Sequence, residues 1–163
     1  MLTLFPEERP DYTPAPEGAN AVLLTLTPQG DTLHARAVLR WQGKETVGED
    51  SAPVPGGEDP LVRDRVCQRI LKLAFYRAGV AALGHEPPWG ALTGVRPVKI
   101  PTRAMERRAT PQEAERELRE TYRVSPGRAS LALDCAQASL RAKQSLREDE
   151  VSLYIGIPFC PTR

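Results

Sequence analysis

In NAVLLTLTPQGDTLHARAVLRW, residues 20–41, two apolar-rich runs flank a short turn. From Leu33 to Leu39 every second residue is an inward-facing Leu or Ala, the period-two pattern of a half-buried strand. Gly30 can supply the positive φ that a tight hairpin turn needs. A third strand is expected around KETVGE, residues 44–49, so residues 20–50 are predicted to form a small antiparallel sheet.

The flanking segments have different patterns. Residues 1–19 contain four prolines and little periodicity, and we expect an irregular N-terminal arm. After the sheet, Asp59 followed by Pro60 is a helix start signal, with a carboxylate cap and a proline at the first helical position. Apolar residues at helical spacing follow, and Gly79 is the predicted stop, so a helix is expected over residues 60–79.

The second half of the chain is predicted to be helical. Residues 85–101, HEPPWGALTGVRPVKIP, interrupt the periodicity with four prolines and two glycines. Thr110, Pro111 and Glu113 then form a capping box, and Ser125 with Pro126 repeats the cap-plus-proline signal. Residues 111–146 are therefore expected to be mainly helical.

The cysteine and histidine content excludes several kinds of site. Cys67, Cys135 and Cys160 are odd in number and far apart, which argues against a disulfide framework and agrees with a reducing compartment. Cys67 and Cys135 are expected to pack within helices. His34 lies on the polar face of its strand without a neighbouring ligand, so no metal role is expected. The sequence contains neither a signal-peptide pattern nor an apolar run of membrane-spanning length, so we expect a cytoplasmic chain with no membrane partner.

Charge is unevenly distributed. Residues 1–60 have ten acidic and four basic side chains, whereas residues 61–163 have eleven acidic and eighteen basic ones. The densest basic segment is RPVKIPTRAMERR, residues 96–108, where five basic side chains face only Glu106. A solvated helix face is the simpler interpretation, including for Arg96 and Lys99; binding of a polyanion or of substrate carboxylates is the alternative.

The last residues have the pattern of a strand that leads into a reactive loop. In VSLYIGI, residues 151–157, apolar side chains alternate with Ser152, Tyr154 and Gly156, and Cys160 follows in the next loop. Gly156 leaves room for a ligand against the backbone. The acidic segment REDE precedes this strand, and we place a domain boundary there. A strand, a loop and one cysteine do not by themselves decide the role of Cys160. It could be a nucleophile, a zinc ligand, an iron ligand or a buried thiol.

The segment SLYIGIPFCPTR, residues 152–163, resembles the start of the radical S-adenosylmethionine domain of oxygen-independent coproporphyrinogen dehydrogenases, especially their HemZ-like branch. The stretch PWGALTGVRPVKI, residues 88–100, and the YRVSP region, residues 122–126, resemble the same branch. The resemblance covers roughly residues 88–163, and the β-rich first sixty residues contribute little to it.

The resemblance implies a function and a set of site residues. Cys160 would open a C-x3-C-x2-C motif for a [4Fe–4S] cluster, with the other two cysteines at positions 164 and 167, beyond Arg163. Tyr154 occupies the position of a tyrosine that contacts S-adenosylmethionine in relatives, and Gly156 stands where those relatives have histidine. The implied reaction is oxidative decarboxylation of coproporphyrinogen III propionates in porphyrin biosynthesis, with a coproporphyrinogen-like substrate and an electron donor as partners.

The sequence thus predicts an α+β fold: a small antiparallel sheet, a helical region, and the first strand of an incomplete radical S-adenosylmethionine α/β barrel. We expect an arm over residues 1–19, an accessory domain over 20–147 and the truncated start of the radical domain over 148–163. The 163-residue fragment is expected to bind no cofactor and to be inactive. Alternatives are a radical enzyme with another substrate, a helical domain that delivers a partner, and a basic polyanion-binding module, although a nucleic-acid partner is not expected.

Overall fold

The structure is a computed structural model that describes residues 4–5, 7–9, 11–56, 59–92, 96–153 and 155–156. Three strands form an antiparallel sheet in the order β1 (Ala21–Gln29), β2 (Thr32–Trp41) and β3 (Lys44–Pro53). The predicted sheet over residues 20–50 is therefore confirmed.

Both hairpins turn through two residues. Gln29 pairs with Thr32, and Gly30 has a φ of 57°, as predicted. In the second hairpin Gln42 and Gly43 have φ values of 50° and 75°, the two left-handed positions of a type I′ turn. These short turns set the register across all three strands.

The sheet buries one face against a long helix, α1 (Pro60–Leu83). The alternate residues from Leu33 to Leu39 are buried, which confirms the predicted inward face of β2. The Asp59 carboxylate accepts a hydrogen bond from Leu61 N at 2.9 Å, and Pro60 is the first helical residue, as expected. The main core of the chain lies between this helix and the inner face of the sheet.

Helix α1 ends later than its sequence predicted. It continues past Gly79 to Leu83, and Gly84, with a φ of 73°, is the left-handed residue that ends it. Gly79 has another role, because a Cβ there would lie 2.8 Å from the Leu4 side chain and 3.4 Å from the Phe5 ring. The predicted stop was wrong because this glycine makes room for packing inside the helix.

The N-terminal arm has no strand or helix in its described part, but it is anchored. Leu4 and Phe5 are buried in the sheet–helix core, and the Phe5 ring centroid lies 4.6 Å from that of Trp41 and 6.0 Å from that of Phe75. Aromatic contacts at these distances add to the apolar burial. Leu4 and Phe5 therefore belong to the core.

The remaining helices form a second apolar cluster. They are α2 (Lys99–Glu106), α3 (Pro111–Arg116), which continues as a π-helical turn (Glu117–Thr121), and α4 (Pro126–Ser145). These ranges confirm the mainly helical character of residues 111–146. Residues from the preceding loop and from the helices fill the cluster: Leu92, Leu118, Val124, Ala129 and Ala132.

The two predicted caps differ in the structure. At Thr110 the capping box is complete: the hydroxyl accepts from Glu113 N at 3.2 Å and the Glu113 carboxylate accepts from Thr110 N at 2.7 Å. Ser125 precedes α4 as predicted, but its side chain makes no capping hydrogen bond. The helix start at Pro126 is thus confirmed without the side-chain cap.

The predicted strand over residues 151–157 is absent from the described part of that segment. Residues 151–153 and 155–156 are irregular, and Val151, Leu153 and Ile155 are largely exposed. Strands are stabilised by hydrogen bonds from a neighbouring strand, and no described residue provides one here. Among residues 151–153 and 155–156 the alternating pattern therefore does not produce a strand, and no barrel element is observed in the described part of the chain.

Candidate functional site

The structure describes only one of the three predicted site residues. Gly156 is exposed and lies in irregular chain. Tyr154 and Cys160 lie outside the described residues. The predicted ligand and cofactor contacts therefore stay predictions.

The described residues offer no alternative metal centre. No group of three His, Cys, Asp or Glu side chains in that part of the chain could hold a metal ion. Cys67 is half-buried beside the sheet–helix core, as predicted, whereas Cys135 is exposed on α4. The expected packing of Cys135 was wrong because its position lies beside, and not within, the buried stripe that contains Ala132 and Ala136. The described residues thus do not fit an iron–sulfur cluster.

The structure joins two of the sequence stretches singled out above. Ala91 N donates a hydrogen bond to Tyr122 O at 2.8 Å, and Ser125 N donates to Pro88 O at 3.0 Å. These bonds connect residues 88–92 with residues 122–125, a pairing that we call the loop junction. Two segments more than thirty residues apart in sequence thus form one local structure.

Gly90 makes the loop junction possible. It has a φ of 56°, and a Cβ there would lie within 2.5 Å of the Arg123 carbonyl carbon and closer still to the Tyr122 carbonyl oxygen. Such distances lie far inside van der Waals contact, so only glycine fits. In the other segment of the loop junction, Arg123 has a φ of 58°, a left-handed conformation that costs a non-glycine residue about 1–3 kcal/mol.

Side chains reinforce the same contact. The Arg128 guanidinium carbon lies 5.5 Å from the centroid of the Trp89 ring, a cation–π geometry. Leu92 packs with Leu118 and Val124 in the helical cluster. The tryptophan and glycine of the PWGAL stretch therefore have clear packing roles in this structure.

An open cleft of about 720 Å3 lies beside the loop junction. Three basic and three acidic side chains line it: Arg116, Arg119, Arg123, Glu86, Glu115 and Glu120. Arg123 Nε lies 3.8 Å from Glu86 Oε1, and both side chains are about half exposed. Because the two signs of charge are balanced and accessible to water, the cleft has no pronounced preference for an anion or a cation.

Two tyrosines near the loop junction, Tyr76 and Tyr122, have raised pKa values. Burial raises the pKa of Tyr76 to about 12, with a further increase from the Glu86 carboxylate and a decrease from Arg123. The Tyr76 hydroxyl has no hydrogen-bond partner among the described residues. Burial likewise raises the pKa of Tyr122, with Glu117 acting in the same direction and Arg69 opposing it. Both phenols are thus held in the neutral form, and neither supplies a base at neutral pH.

The basic segment, residues 96–108, spans α2 and a few residues on either side of it. Its five basic side chains are exposed, and none forms an ion pair with another described residue: Arg96, Lys99, Arg103, Arg107 and Arg108. The single acid of the segment, Glu106, accepts from Lys143 of α4 at 3.1 Å. The surface is therefore positively charged and hydrated, in agreement with the solvated interpretation of Arg96 and Lys99.

Comparison with known proteins yields one partial match. No protein-family model and no solved structure matches the chain. Over 85 residues the chain is 36% identical to the oxygen-independent coproporphyrinogen-III oxidase-like protein HemZ of Bacillus subtilis (strain 168). The match covers 51% of this chain and 17% of that protein. The chain is thus similar to a small part of a longer oxidase-like protein.

Sequence reasoning missed the features that organise this region. Glu86, Arg123 and the π-helical turn had no motif signal, and Gly90 was noted only as a break in periodicity. A π-helical turn inserts an extra residue into a helix and often marks functional sites. Tight packing around a glycine can be seen only once the distant segment that it contacts is known.

Proposed function

We propose that the chain is the N-terminal part of a radical S-adenosylmethionine oxidoreductase that oxidatively decarboxylates the propionates of coproporphyrinogen III. The observation that carries this proposal is the 36% identity to the HemZ protein over 85 residues. The terminal segment SLYIGIPFCPTR, with its strand-like alternation and Cys160, supports the same assignment.

The proposed roles are divided between the two ends of the chain. Cys160 supplies one thiolate ligand of a [4Fe–4S] cluster, and Tyr154 and Gly156 line the S-adenosylmethionine site. When bound, the cluster and S-adenosylmethionine supply the radical chemistry, and the protein positions the substrate and excludes water. The sheet, α1 and the helical cluster form an accessory unit before the catalytic domain.

The reading frame provides the first test. We expect codons for cysteine at positions 164 and 167 directly after the Arg163 codon. Sequencing the gene downstream of this codon checks the expectation. Any other residues at those two positions would remove the basis for the cluster.

A longer protein that includes the complete barrel provides the second test. After anaerobic reconstitution with iron and sulfide it should bind a four-iron cluster and release 5′-deoxyadenosine from S-adenosylmethionine. Cys160→Ala should abolish both, whereas Cys135→Ala, at an exposed helical position, should retain both. Retention of the cluster by the Cys160→Ala protein would contradict the proposal. Decarboxylation of coproporphyrinogen III, measured by product mass, then tests the substrate.

One observation favours a second candidate function, a polyanion-binding surface on α2. The basic side chains there are exposed, and Glu106 is occupied by Lys143. Binding of single-stranded RNA to the 163-residue chain should then weaken steeply between low and physiological salt. Arg103→Ala with Arg107→Ala should reduce the salt slope by about two. Arg147→Ala is the control, because Arg147 already pairs with Asp149 and Glu150. Binding that is insensitive to both salt and the double substitution would exclude this function.

A further inference from the structure

The outer edge of β1 is apolar, and no described strand pairs with it. Among the described residues β1 pairs only with β2, on its other side. None of its nine residues is charged. Its apolar side chains are exposed: Val22 by 41%, Leu23 by 63%, Leu24 by 44% and Leu26 by 37%. Solvent-exposed strand edges are normally protected by charges, because open edges pair with other chains.

The other edge of the same sheet has this protection. Strand β3 contains Lys44, Glu45, Glu49 and Asp50, four charges in ten residues. Arg77 of α1 also reaches this edge, with its guanidinium 3.0 Å from the Asp50 carboxylate and bonded to the Glu49 carbonyl oxygen. Only the β1 edge thus has the composition of a strand that pairs with a partner.

The register shows which backbone groups of β1 are free. In a two-residue hairpin the residues that flank the turn exchange hydrogen bonds, and every second pair along the ladder does the same. Gln29 and Thr32 flank the first turn, so the odd-numbered residues of β1 bond to β2. The N–H and C=O groups of Val22, Leu24 and Leu26 therefore point to the open edge. Pro28 also points outward, where its missing N–H breaks no bond within the sheet.

These free groups are self-complementary. If two β1 strands lie antiparallel about a two-fold axis at Leu24, then Leu24 faces Leu24 of the other copy and Val22 faces Leu26. Each of these pairs exchanges backbone hydrogen bonds, and no charge opposes another charge. In each copy the side chains of Val22, Leu24 and Leu26 lie on the face of the sheet that packs toward α1, because their cross-strand partners in β2 are buried on that face.

We propose that two copies of this chain associate through antiparallel pairing of β1 about Leu24, which joins two three-stranded sheets into one of six strands. The pairing covers the exposed Val22, Leu24 and Leu26 side chains with their symmetry equivalents. The inference is independent of the proposed enzymatic function. Because a single strand pair buries less than a standard interface of about 1,200–2,000 Å2, the dimer is expected to dissociate on dilution.

Sedimentation velocity of the 163-residue chain tests the proposal. The chain should change from monomer to dimer between roughly 1 and roughly 100 μM, the range expected for a small interface. Leu24→Lys places like charges opposite each other on the axis. It should raise the midpoint concentration of the monomer–dimer transition at least tenfold. The control is Val47→Lys on β3, a site with a similar exposure of 43%, which should leave the midpoint unchanged. A monomer at all concentrations, or a dimer that survives Leu24→Lys, overturns the proposal.

Amide hydrogen exchange of the unmodified chain gives a second, independent test. The N–H groups of Val22, Leu24 and Leu26 should exchange at least tenfold more slowly at the highest concentration than at the lowest. The amides of Leu23 and Thr25, which bond to β2, should change much less. Protection of Val22, Leu24 and Leu26 that does not depend on concentration would overturn the proposal, because the edge would then be covered within one chain, for example by residues 151–156.

Discussion

Gly90 shows how a single residue can determine whether two distant segments meet. Its positive φ and its close approach to the Tyr122 carbonyl exclude a side chain. Gly90→Ala should therefore lower the free energy of unfolding by about 2–4 kcal/mol, through backbone strain and overpacking. Gly127→Ala is the matched control, because a Cβ at Gly127 meets no atom within 4 Å. Urea denaturation measures both, and equal effects would contradict the assigned role of Gly90.

Tyr76 is a second residue whose environment leads to a measurable effect. Its pKa is raised from 10.0 to about 12, so the folded state holds this proton more tightly than the unfolded state. The corresponding stability is present below pH 10 and is lost as the pH rises toward about 12. Between these pH values the free energy of unfolding should fall less steeply for Tyr76→Phe than for the unmodified chain. The control is Tyr12→Phe, at a side chain that is 95% exposed, which should behave like the unmodified chain. A Tyr76→Phe profile identical to the parent profile would contradict the raised pKa.

Helix α3 and helix α4 begin with similar sequence signals but different contacts. The Thr110 hydroxyl accepts from Glu113 N at 3.2 Å, whereas the Ser125 side chain makes no capping bond. Thr110→Ala should therefore cost about 0.5–2 kcal/mol of stability, and Ser125→Ala should cost clearly less. Thermal or urea unfolding of the two variants provides the comparison. A larger loss for Ser125→Ala would show that its hydroxyl has a role that the structure does not reveal.

The chain as a whole contains two apolar clusters, one between the sheet and α1 and one among the later helices. Helix α1 packs on the three strands, and α2, α3 and α4 pack with one another. Leu118, fully buried in the helical cluster, is a suitable probe of their coupling. Leu118→Ala should cost about 2–5 kcal/mol and should speed amide exchange in α4 more than in β2. Equal acceleration in both elements would indicate one cooperative unit.

No helix in the described part of the chain has the length and apolarity needed to cross a bilayer. Basic side chains on α2 and apolar side chains on β1 are exposed. Among the described residues, the cleft beside the loop junction is lined by charged side chains, and the β1 edge combines backbone groups without a strand partner with exposed apolar side chains.

Local sequence signals determined much of the fold. The alternation from Leu33 to Leu39, the turn at Gly30, and the caps at Asp59 and Thr110 all act between residues that are close along the chain or paired by a short hairpin. Such interactions depend on side-chain chemistry and spacing, which the sequence contains directly. The segment SLYIGIPFCPTR, on which the proposed cofactor site depends, was singled out instead by its resemblance to the radical S-adenosylmethionine family.

Tertiary packing determined the features of the fold that depend on contacts between distant parts of the chain. Gly79 does not end α1, because Leu4 and Phe5 pack against it, and α1 ends instead at Gly84, whose φ of 73° is left-handed. The described residues of the alternating segment, 151–153 and 155–156, form no strand, because a strand also needs a neighbouring strand to accept its hydrogen bonds. Whether a glycine is a turn, a stop or a contact point depends on the atoms brought beside it, and these come from parts of the chain whose proximity only the folded structure establishes.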